Sequence, residues 1–162
     1  MKRRTFLATL ASLSAANLAY GGDNRDATLY KNPQCGCCQD HAAYLRRHGY
    51  RVTEVATHDL DEIKRKHGVP EQLYGCHTIV VGGYVVEGHV SAPIIDRMLR
   101  ERPKIRGVSL PGMPQGSPGM TGNKTEPFQI YEIGDNCIGS SASVCRRMKG
   151  ASSCARAFSQ SS

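Results

Sequence analysis

The sequence predicts an α/β fold in which a small sheet carries helices on both faces. Three observations lead there. Apolar spacing alternates between strand-like and helix-like over residues 27–103, a Gly-Gly pair splits one long β-favouring run into a hairpin, and the helical stretches carry start or stop residues.

"ATLYK", residues 27–31, reads as a first strand, which Asn32-Pro33 ends with a turn. From Cys37 to about His48 the pattern is helical, with Ala42, Tyr44 and Leu45 as buried contacts and Gly49 as the stop. "YRVTEVA", 50–56, alternates Val52 and Val55 with polar residues and is a second strand. Asp59 with Glu62 three positions on forms a capping box for a helix on which Leu60 and Ile63 share a face, ended by Gly68. "HTIVVGGYVVEGHV", 77–90, gives strands over Thr78–Val81 and Tyr84–Val86 around Gly82-Gly83. Ser91 then caps a helix striped by Ile94, Ile95, Met98 and Leu99, ending near Pro103. The order β-α-β-α-β-β-α is that of the thioredoxin fold, whose first strand delivers its cysteines to the N-terminus of the first helix. There, free N–H groups and the helix dipole favour thiolate over thiol.

Beyond Pro103 the chain is rich in Gly and Pro up to Pro127, which predicts a wrapped extension without helix or regular strand. It repeats a unit, Pro111-Gly112-Met113 and Pro118-Gly119-Met120, and "PFQIYEI", 127–133, can return as an edge strand. The expected organisation is an export signal over 1–22, a metal-binding domain over 23–104, an extension over 105–133 and a Ser-rich disordered tail over 134–162. The signal rests on Lys2-Arg3-Arg4 ahead of an apolar and small-residue stretch, Phe6 to Ala19. That stretch is broken by Ser12, Ser14 and Asn17 and falls short of the ~20 apolar residues a membrane span needs. Arg3-Arg4 also fits a twin-arginine pattern, so either export route stays open.

The net charge of +7 lies at the two ends of the chain. Residues 23–136 hold 14 Lys and Arg against 14 Asp and Glu, so the folded part offers no basic face for a nucleic acid.

Seven cysteines cannot all pair within one chain. Three of them, Cys35, Cys37 and Cys38, crowd into "CGCC" at the start of the first helix. A dithiol switch needs only Cys35 and Cys38, and a third thiol invites mispairing. For a soft metal the extra sulfur is an advantage, since thiolates favour Cu(I), zinc or iron–sulfur clusters and close sulfurs bridge ions. A structural disulfide alone leaves one of the three unsatisfied. Cys76 and His77 precede the third strand and would stand opposite this cluster, with Thr78 where redox members of that fold carry a cis-proline. Pairing of Cys76 with the cluster and simple packing of His77 are the plainer alternatives. Met113 and Met120 supply thioethers suited to Cu(I), unless they only fill surface gaps. His41, one turn after Cys37 and Cys38, and His89, after the hairpin, are further candidates. Cys137, Cys145 and Cys154 match no metal-site spacing.

With "YKNPQCGCCQDHAAYLRRHGY", "GCHTIVVGGYVVEGHV" and "PGMPQGSPGM" in this order, residues 27–133 resemble the CopG-type periplasmic copper-resistance proteins. The resemblance implies copper held outside the cytoplasm by the cysteine cluster and the extension, and a role in interconverting Cu(I) and Cu(II). It places metal ligands at Cys35, Cys37, Cys38, Cys76, His77, Met113 and Met120, with several ions bridged by sulfur. The expected partners are copper ions and a periplasmic copper chaperone or efflux system, the mature protein being a monomer without a membrane anchor. The rival expectation is a thiol–disulfide oxidoreductase. A zinc-binding or purely structural domain is a third, disfavoured by the methionines.

Overall fold

The computed structural model describes residues 24–134. The expected signal segment and the tail with Cys137, Cys145 and Cys154 lie outside these residues, apart from Gly134. Six strands form one mixed sheet in the order β2-β1-β3-β4-β5-β6: β1 (Asp26–Lys31), β2 (Arg51–Ala56), β3 (His77–Val81), β4 (Tyr84–Glu87), β5 (Gly107–Ser109) and β6 (Tyr131–Ile133). Helices α1 (Gly36–Arg47), α2 (Leu60–Lys66) and α3 (Ala92–Glu101) complete the order expected from the sequence, with a short 3-10 turn at Glu71–Leu73 added before β3.

Strand parity divides the core. Leu29 lies across from Ile79, and Ile79 from Val86, so these residues share one sheet face. Cys38, Ala42 and Leu45 of α1 and Ile94, Ile95 and Met98 of α3 are buried in the same cluster. Thr28, Val80 and Val85 alternate onto the opposite face, where Val85 packs with Val69, Leu73 and Ile133. Burying a side chain of this size contributes roughly 1.5–3 kcal/mol, so these apolar rows, more than helix propensity, hold the layers together.

Three local expectations fail for physical reasons. Asp59 and Ser91 precede α2 and α3, yet neither side chain makes a capping hydrogen bond; the Thr57 hydroxyl accepts the Asp59 N–H (3.0 Å) and the Tyr44 hydroxyl the Ala92 N–H (3.2 Å) instead. The extension also contains a regular strand. At Gly107 an added Cβ would stand 1.8 Å from the Val85 carbonyl oxygen, so glycine permits β5 to pair directly with β4. The returning segment is the edge strand β6, as its sequence suggested.

Candidate metal centre

The centre begins at the turn after β1. The Asn32 side-chain oxygen accepts from the Gln34 N–H (3.1 Å) and its carbonyl from the Cys35 N–H (3.0 Å). Buried Lys31 steadies the same loop by donating from Nζ to the carbonyls of Asn32 (3.3 Å) and Pro33 (3.2 Å). Cys35 therefore sits as the N-cap of α1 without a side-chain cap bond, and the first helical turn carries no acidic residue. Its free N–H groups and dipole are available to sulfur anions.

Cys35 and Cys38 are joined in a disulfide, while Cys37 and Cys76 are free thiols. Cys37 Sγ is 3.5 Å from Cys35 Sγ and 3.9 Å from Cys76 Sγ. All four sulfurs lie within 4.8 Å of one another, a grouping that could hold a metal ion. Cys38 is fully buried and Cys35 partly exposed.

A second group shares Cys76. Its Sγ is 3.2 Å from His77 Nδ1 and 3.0 Å from His89 Nε2, and the three donor atoms again lie within 4.8 Å. His41, His77 and His89 pack ring to ring, with centroids 4.8–5.0 Å apart. Burial pushes His41 down to about 3, assisted by His89, and it holds His77 well below the usual histidine range. His89 is lowered too, mainly by burial. The rings are thus neutral, and their carbonyl partners decide which nitrogen carries each proton.

His41 Nε2 faces the Val90 carbonyl at 3.0 Å and must donate, which leaves its Nδ1 as an acceptor. His77 Nε2, 2.7 Å from that Nδ1, must then donate, so His77 Nδ1 is a bare lone pair facing Cys76. His89 Nδ1 donates to the Pro118 carbonyl at 2.6 Å, so its Nε2 is also bare and faces the same sulfur. Cys76 has one thiol proton for two lone pairs. Burial, then Cys37, pushes this thiol up to about 12, so the metal-free site holds it protonated. Two imidazole lone pairs turned on one sulfur form a donor set that could hold a thiophilic cation.

The opposite sheet face supports this arrangement. Lys64, Glu87 and Thr78 form a buried ion-paired network, and Glu87 Oε1 accepts the Gly75 N–H at 2.7 Å. One carboxylate thereby ties the residue before Cys76 to the strand that leads to His89. Burial raises the Glu87 carboxyl against the lowering pull of Lys64. Thr78 belongs to this network, which corrects its expected place opposite the cysteines. The strand starts one residue earlier than the sequence suggested, and His77 takes the α1 side. The described residues contain no cis peptide bond.

The extension closes the centre with its two repeated units. The Gly112 N–H donates to the Tyr74 carbonyl (3.2 Å), beside Cys76, and Gly119 packs on the α1 backbone at Asp40 and His41. Met113 and Met120 are each one residue from these anchors. Met113 is 56% exposed and not enclosed in the centre, whereas Met120 is half-buried. The cysteines and His77 are therefore brought together, and His89, outside the leading ligand set read from the sequence, joins them. Its signal lay in the hairpin register. Counting outward from Gly82-Gly83, Thr78 pairs with Glu87, and two steps on Cys76 meets His89.

The fold and site define a class: a mixed α/β domain with a cysteine–histidine centre able to hold a soft metal. Residues 73–120 match a family model described as a protein of unknown function, DUF411, a span that starts just before Cys76 and ends at Met120. No curated protein sequence matches the chain. Two solved forms of a copper resistance protein, CopG, are 37% identical, with TM-scores of 0.64 and 0.63. Each alignment covers 68% of this chain and 89% or 88% of the relative. The chain belongs to the CopG family of copper resistance proteins.

Proposed function

We propose that this protein binds copper in the periplasm as part of copper resistance, and that the bound ions pass between Cu(I) and Cu(II). The observation that carries the reading is the sharing of Cys76 by two donor sets, one of four sulfurs and one of sulfur with two imidazole lone pairs. Thiolate sulfur suits Cu(I), imidazole nitrogen accepts both oxidation states, and a shared sulfur lets neighbouring ions bridge. Cys37, Cys76 and His77 are the inner ligands, joined by His89, and Cys35 and Cys38 add their sulfurs whenever that pair is reduced to thiols. Met113 and Met120 serve as soft outer ligands at the rim. Copper chaperones or an efflux system are the partners that deliver or receive the ion, and the basic, apolar N-terminus supports export.

Anaerobic titration of the reduced protein with Cu(I) against a chromophoric competitor tests the reading. Cys76→Ser is expected to lower the number of bound ions most, with a smaller loss for Cys35→Ser/Cys38→Ser. Unchanged stoichiometry in both variants overturns it. A second reading, thiol–disulfide exchange, is favoured by the Cys35–Cys38 bond alone, and insulin reduction by the metal-free protein measures it.

A further inference from the structure

The disulfide and the second donor set are present together. Cys35 and Cys38 are bonded while Cys76, His77 and His89 still converge within 4.8 Å, and Cys37 remains free 3.9 Å from Cys76. The centre therefore has two chemically different halves. Cys35 and Cys38 exchange electrons as a pair, whereas the other four residues keep their donor atoms whichever state that pair is in. This inference rests on the copper reading above and names the source of its electrons.

We propose that the Cys35–Cys38 dithiol is the reductant for incoming Cu(II), and that a protein dithiol outside this chain restores it. Two Cu(II) ions each take one electron and become Cu(I). The two thiols lose their protons to solvent, and one S–S bond forms between Cys35 and Cys38. The pair thus gives up two electrons and two protons for two ions reduced, and the Cu(I) produced stays on Cys37, Cys76, His77 and His89.

The return step follows from exposure. Cys35 is partly exposed, Cys38 fully buried, and the side of Gly36 that would carry a Cβ is open, with nothing within 4 Å. An external thiolate attacks Cys35 Sγ, and Cys38 leaves as the buried sulfur beside the first helical turn, whose N–H groups favour its thiolate. The partner's second thiol then attacks the mixed disulfide, which releases Cys35 and leaves the disulfide on the partner. The class of reaction that must feed this site is therefore dithiol-to-disulfide transfer from another protein.

The test uses the full chain, reduced, desalted without oxygen and mixed with Cu(II) sulfate. Cu(I) is read with a cuprous-specific chelating dye, and the disulfide formed is located by differential alkylation and peptide mass spectrometry. One Cys35–Cys38 linked peptide is expected for every two Cu(I), with Cys37 and Cys76 still alkylatable once copper is removed. Cys38→Ser is expected to slow Cu(I) formation at least tenfold. The inference is overturned if Cu(I) appears without that linkage, if the bond joins another pair, or if Cys38→Ser reduces Cu(II) at the same rate. Peptide mapping of the unmodified chain decides the matter even where the variant folds poorly. Copper that stays with the protein through desalting without a Cys35–Cys38 bond leaves the copper-holding reading intact and removes only the dithiol; copper lost on desalting removes both.

Discussion

His41 governs the donor set through its neighbour while standing one ring away from the sulfur. Its hydrogen bond to Val90 decides the proton on His77, so its neutrality is a structural requirement with a cost in acid. The ring sits at about 3 in the fold against an ordinary value of 6.5. Above pH 6.5 folded and unfolded chains are both neutral here and the stability is fully present. As pH falls, the unfolded chain takes up a proton that the folded one refuses, so stability is lost progressively towards the folded value. Between pH 6.5 and 5 this amounts to about 2 kcal/mol for His41 alone, and His77 acts in the same direction. Urea midpoints of the metal-free protein at pH 7 and pH 5 measure it. His41→Gln, which keeps a donor towards Val90 and does not titrate, is expected to flatten the acid slope; an unchanged slope contradicts a buried neutral His41. The sequence showed this residue's type and spacing, but its tautomer depends on a carbonyl 49 positions away.

At the scale of elements, the decisive contact is the second Pro-Gly-Met unit against α1. Gly119 has φ +80°, and a Cβ there would stand 2.5 Å from the His41 nitrogen and 2.8 Å from its Cα. Neither neighbour is a flexible side chain, so the extension must lift away. Gly119→Ala is expected to cost about 1–3 kcal/mol of stability. Because the same segment orients His89, Cu(I) affinity should fall about tenfold, as for other lost supports of metal ligands. Gly36→Ala, at an open position, is the control expected to leave both nearly unchanged. Chemical denaturation and competitive Cu(I) titration read the two effects. The elements themselves were largely legible, since period and punctuation placed all three helices and four strands to within one or two residues. Parity at the start of β3 was not. Cys76, His77 and Thr78 are consecutive, and a shift of one residue exchanges the sheet faces of His77 and Thr78. Strand β5 was hidden for a related reason, because its pairing depends on the absence of a side chain at Gly107 rather than on any apolar pattern.

At the scale of the molecule, every proposed inner ligand lies between Cys35 and His89, and the wall that closes them ends near Met120. Replacing Cys137, Cys145 and Cys154 together with Ser is therefore expected to leave the copper-to-protein ratio unchanged. Metal analysis after anaerobic loading and desalting checks this, and a lower ratio assigns the C-terminal sulfurs to the centre. No helix of the described residues is long and apolar enough to cross a membrane.

The carbonyl that fixes His89 belongs to Pro118, 29 residues further along the chain. Synthesis makes Cys35, Cys37, Cys38, Cys76, His77 and His89 before it makes this fastening. A nascent chain that has emerged only as far as the start of α3 already owns every proposed inner ligand, yet nothing commits the His89 ring to offer Nε2. The centre is therefore matured by its own later residues, and metal that arrives early meets an unfinished chelator.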